Sequence, residues 1–101
     1  MIAEQLENVG LNHVKVGQNV MILTRGYHWV GEIAFVSALK IILVKATMFV
    51  NIGQIDSAMA GKFDDRAHGR QIPPNQPVEI FRPSADIIDW PHTLPTKAIG
   101  D

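Results

Sequence analysis

The sequence predicts a mainly β domain: a short N-terminal α-helix, then a strongly bent five-stranded antiparallel sheet forming a small open barrel. Residues 16–49 read as strand, turn, strand, turn, strand. Gly31 interrupts the second strand, where a missing side chain permits a sharp bend or a close backbone approach. Two more short apolar runs, at 77–81 and 86–90, follow a long segment rich in glycine and proline.

Each element has a local cause. Ile2, Leu6 and Val9 recur at helical spacing with Glu4 and Glu7 between them, which predicts a helix over 2–9 that ends at Gly10. Gln18 to Thr24 is the first strand. Arg25, Gly26, Tyr27 and His28 turn the chain, with Gly26 able to take a positive φ. Trp29 to Val36 is the second strand, with Gly31, Ile33 and Phe35 on one face and Val30, Glu32, Ala34 and Val36 on the other. Ser37, Ala38 and Leu39 connect it to the third strand, 40–50, which is apolar on both faces. Both faces then need cover: a helix can cover one, and the other face or the strand's end calls for a neighbouring subunit. Residues 51–76 carry several glycines and prolines and charges of both signs, and predict a protruding, partly mobile insertion. Strands at 77–81 and 86–90 flank a turn at 82–85, and Pro91 and Pro95 make 91–101 an irregular tail.

Composition narrows the function. A chain of 101 residues suits one domain, 1–101. Hydrophobic residues make up 47% and charged residues 19%, below the ~25% of ordinary soluble domains. So few charges favour a buried subunit interface. There is no cysteine, hence no disulfide framework or thiol nucleophile, which fits a reducing, cytoplasmic setting. The longest apolar runs, 41–44 among them, are too short to cross a bilayer, so no membrane role is expected. Formal net charge is −1, although Lys15, Arg25, Lys40 and Lys45 stand against Glu32 alone over 15–45.

No arrangement for catalysis is evident. There is no phosphate-cradling glycine loop, nucleophile elbow or paired histidine spacing, so the expectation is a non-enzyme without cofactor. Asp64, Asp65 and His68 lie close in sequence, but a metal needs more ligands in fixed geometry, and a solvated loop is expected there. Tyr27, His28 and Trp29 form an aromatic patch, expected to serve packing or an interface.

The chain resembles the Sm and Sm-like family, which includes the bacterial Hfq proteins. The family's first motif matches Val20 to Thr24, the Gly26 turn, Gly31-Glu32-Ile33, the Ser37-Ala38-Leu39-Lys40 connection and Ile41-Ile42-Leu43. Its second, an apolar-Arg-Gly step, matches Ile80-Phe81-Arg82-Pro83 followed by Ile87-Ile88. The match covers about residues 1–50 and 77–90. Ser37 and Lys40 stand where the family has aspartate and asparagine, the connection is one residue shorter, and Pro83 replaces the glycine. The resemblance implies a homo-oligomeric ring, pentamer to heptamer, that binds single-stranded RNA at its inner rim in RNA metabolism or regulation, from a bacterial or phage source. It implies an RNA site at Ser37, Ala38, Leu39, Lys40 and Arg82. Arg82 would stack on a base or hold phosphate, and Lys40 would offer charge to phosphate, since it lacks an amide's paired donor and acceptor. Two alternatives stand beside this reading: a structural ring of β-barrels of viral type, without RNA, and an SH3-like module binding peptides around Tyr27 and Trp29.

Overall fold

A computed structural model describes residues 14–100. The helix expected over 2–9 lies outside the described residues. The elements are β1 (Asn19–Leu23), β2 (His28–Val36), β3 (Lys40–Asn51), α1 (Ile55–Met59), β4 (His68–Gln71), β5 (Val78–Phe81), a 3₁₀ turn (Arg82–Ser84) and β6 (Asp86–Asp89). They form one six-stranded antiparallel sheet in the order β4-β3-β2-β1-β6, with β5 also paired to β3.

The five-stranded expectation therefore changes to six strands. Both β4 and β5 run antiparallel to β3, against Thr47–Asn51 and Lys40–Leu43 respectively. They are two pieces along one side of a twelve-residue strand. Pro73, Pro74 and Pro77 lie in the gap between them and cannot donate to a ladder. The first piece, His-Gly-Arg-Gln, has no β-branched or aromatic residue, so its strand character comes from pairing alone.

Gly31 explains the bend. Val30 pairs with Thr47 and Glu32 with Val44, so Gly31 faces both Lys45 and Ala46 in a β-bulge. Lys45 takes a left-handed φ of 54° there. A Cβ on Gly31 would stand 3.2 Å from both Ala46 Cα and the Val44 carbonyl oxygen, so only glycine admits this approach without displacing backbone. Further along β2, Ile33 pairs with Leu43 and Phe35 with Ile42, leaving Ala34 as an extra residue. The predicted alternation fails beyond that point: Phe35 turns outward and Val36 packs against the core. Gly26 does not take the positive φ the sequence allows; the β1–β2 turn is instead tied by the Thr24 hydroxyl donating to the Tyr27 carbonyl.

The sheet curls. β5 lies on β3 and β6 on β1, yet only the 3₁₀ turn and Ala85 separate them. The β1 and β3 sides must therefore approach within the reach of one short turn. Val20, Ile22, Ile33, Ile41, Leu43, Ala46 and Ile80 fill the first core. The opposite face carries a second core of Met21, Val30, Phe49, Ile52, Ala58 and Trp90, with Phe63, Leu94 and Ile99 against it.

That second core corrects the expectation for 51–76. The segment does not simply protrude: Ile52, Ala58 and Ala67 are buried, and Phe63 stacks between Phe49 and Trp90 at 4.7 Å and 5.6 Å. The chain's own insertion and tail thus cover part of this face of the sheet. The tail is irregular as expected, apart from one bridge between Gly69 and Ile99. Among the described residues no helix is long and apolar enough to cross a membrane.

Candidate functional site

The β2–β3 and β5–β6 connections meet at one end of the curled sheet. Lys40 begins β3, and Phe81 ends β5 directly opposite it. Ser37 closes the first connection: its amide donates to the Lys40 carbonyl at 2.9 Å, and its hydroxyl accepts from the Leu39 and Lys40 amides at 3.3 Å and 3.2 Å. This is a hydroxyl-stabilised turn. Pro83 is the second residue of the 3₁₀ turn, where its fixed φ fits and its missing N–H is harmless.

Arg82 joins the two connections. Its amide donates to the Leu39 carbonyl at 2.9 Å, and Nη1 donates to the Ser37 carbonyl at 3.0 Å. The five residues singled out from the sequence, Ser37, Ala38, Leu39, Lys40 and Arg82, therefore lie together. Their roles differ: Ser37 shapes the turn, and Arg82 is half-buried and holds it.

Lys40 and Leu39 face outward. The Lys40 ammonium lies 3.6 Å from the Glu79 carboxylate and 5.7 Å from the centre of the Phe35 ring. The ion pair is exposed and contributes ~1 kcal/mol or less. Leu39 is 63% exposed, Phe81 60% and Phe35 43%. Three large exposed apolar residues thus lie at the same end of the sheet as this cation: Phe35 beneath it, Phe81 opposite it in the ladder and Leu39 before it in the chain.

Phe35 and Phe81 are the residues that sequence reasoning misses. The bulge at Ala34 moves Phe35 off its expected face. Phe81 has a signal in the chain: it precedes Arg82 and falls opposite Lys40 once the strands are paired. The local charge balance also changes in three dimensions. Lys45 pairs with Glu32 at 3.4 Å, and Arg25 lies in the β1–β2 turn at the other end of β2 from Lys40.

The other marked residues serve the scaffold. Asp64 accepts from the Gln54 amide at 2.8 Å and the Arg66 amide at 2.9 Å. These bonds, Gln54 first, hold its carboxyl below the ordinary 3.8. Gly53, at a φ of 74°, leaves the Asp64 carboxylate the space a Cβ would fill. Among the described residues no group of three or more His, Asp or Glu is arranged to hold a metal. Trp29 packs against the first core, and Tyr27 meets it edge-on at 6.4 Å.

No family model, curated protein or solved structure matches the chain.

Proposed function

We propose that this chain is an Sm-like subunit of a homo-oligomeric ring that binds single-stranded RNA at the end of the sheet where Lys40, Phe81 and Arg82 meet. One observation carries this reading: exposed Phe35, Leu39 and Phe81 lie near Lys40, at strand ends whose two connections Arg82 ties together. Aromatic rings offer faces for bases, and a lysine offers charge to phosphate without reading sequence. Arg82 contributes chiefly by holding the Ser37–Leu39 turn. The strand order suits a small SH3-type barrel, since a 3₁₀ turn carries the chain from the β3 side to the β1 side. Among the described residues β5 pairs only with β3 and β6 only with β1. Head-to-tail pairing of such edges in successive copies closes a ring. Repeated modest sites on one ring then add through effective concentration.

The test is titration of single-stranded RNA oligonucleotides of different base composition at two salt concentrations, with particle mass measured in parallel. The expected result is a mass of five to seven copies and an affinity that falls as salt rises. Phe81→Ala should weaken binding about tenfold, the scale of one lost stacking contact, and leave the mass unchanged. Equal binding by wild type and Phe81→Ala removes the assignment of this surface.

A structural ring without RNA is the second reading. The Lys40–Glu79 pair and the Arg82–Ser37 bond favour it, because both engage the site's cations within the chain. No RNA affinity at low salt, with the ring intact, decides for it.

A further inference from the structure

A groove opens at the other end of β2 and β3, beside the β1–β2 turn. It has a volume of about 360 Å³ and is lined by Tyr27, Met48, Val50, His68, Arg70 and Ile99 among others. The strand register builds it. Trp29, Met48 and Arg70 stand side by side across β2, β3 and β4. Trp29 meets Tyr27 edge-on and supports it at the rim. Val50 is exposed beside Met48, and His68 and Arg70 face the groove from β4.

Two features distinguish this groove from a bare apolar surface. Among the described residues Arg70 has no ion-pair partner and no carboxylate lines the groove. The edge of β4 is also closed at Gly69, whose amide donates to the Ile99 carbonyl and whose carbonyl accepts from the Ile99 amide, both at 2.9 Å. A partner strand cannot add there without displacing the tail. The volume lies at the small end of the range for small-molecule sites.

We propose that this groove binds a small planar organic anion, with its ring against Tyr27 and Met48 and its anionic group on the Arg70 guanidinium. A guanidinium fork matches carboxylate or phosphate in two parallel hydrogen bonds. Tyr27 offers a ring face or edge, and the Met48 sulfur packs well against aromatics. His68 adds a second nitrogen donor beside the fork. The ligand is a nucleotide or an aromatic acid, which share this chemistry. The site is separate from the Lys40–Phe81 surface and does not depend on RNA binding there.

The full chain, labelled for amide NMR, is titrated with 5′-AMP and with indole-3-carboxylate. Adenosine and indole-3-carboxamide serve as neutral counterparts. The expected result is saturable shifts at Tyr27, Met48, Gly69 and Arg70, with one anion or both binding at least tenfold tighter than its neutral counterpart. Binding of AMP alone identifies a nucleotide site; binding of the indole acid alone identifies an aromatic-acid site. Arg70→Gln should lose tenfold or more, Arg70→Lys should recover part of that loss, and Tyr27→Ala should weaken both anions. Arg70 and Tyr27 are exposed, so these variants keep the fold, as the unshifted remainder of the spectrum will show. Absence of saturable shifts with both anions, equal affinity for the neutral compounds, unchanged binding by Arg70→Gln, or shifts centred on Lys40 and Phe81 would each overturn the proposal.

Discussion

Burial lowers the pKa of the His28 imidazole, and its Nδ1 is buried without a hydrogen-bond partner among the described residues. The unfolded chain, near the ordinary 6.5, therefore takes up a proton more readily than the folded one. This contribution to stability is fully present above that value and is lost as pH falls through the folded value. Urea unfolding across mildly acidic pH should show wild type losing stability, and His28→Leu should flatten that part of the profile. Asp64 acts in a lower window. Its depressed carboxyl contributes stability above 3.8 that is lost as pH falls through the folded value. Asp64→Asn should therefore be less stable than wild type at neutral pH, with a shallower further loss below the ordinary carboxylate range. A parallel acid profile for the two chains would remove Asp64 as the tie between Gln54 and Arg66.

At the scale of the element, the bulge opposite Gly31 is the most testable feature. A non-glycine residue in the left-handed region costs about 1–2 kcal/mol. Lys45→Gly should thus be neutral or stabilising by up to about 1 kcal/mol, and Lys45→Val should destabilise by about 1–2 kcal/mol. The exposed Glu32–Lys45 pair is worth too little to reverse this order. Gly31→Ala should cost about 1–3 kcal/mol, because the contact at 3.2 Å is with backbone that must shift. Equilibrium unfolding of the three variants checks the ranking. The glycine-bent strand and the two apolar strands around it are legible in the sequence because apolar alternation and turn residues are local signals. The positions of Ser37, Lys40 and Arg82 near one another follow from those strands. Phe35's exposure is not legible, because the extra residue at Ala34 is a property of the pairing. Nor is β4, whose composition has no strand preference and whose partner lies 20 residues or so away, on β3.

At the scale of the molecule, the two cores divide the sheet between them. β1 contributes to both, with Val20 and Ile22 on one side and Met21 and Leu23 on the other. Trp90 is 2% exposed and stacks on Phe63, so Trp90→Ala should lose about 3–5 kcal/mol. Removing residues 92–101 should cost less, about 2 kcal/mol, since Leu94 and Ile99 are only half-buried. Far-ultraviolet circular dichroism of the shortened chain should retain its β signal, with dye binding at the uncovered face. This architecture is hard to read from the chain because Met21, Phe49, Phe63 and Trp90 meet only after the whole sheet has formed. The same arrangement has a consequence for biosynthesis. A nascent chain can gather most of the first core from residues 14–46, but Phe49 and Phe63 lack their cover until Trp90 has been made and freed from the ribosome. Until then a sticky aromatic surface faces solvent, and a chaperone that grips aromatic side chains has its longest opportunity there.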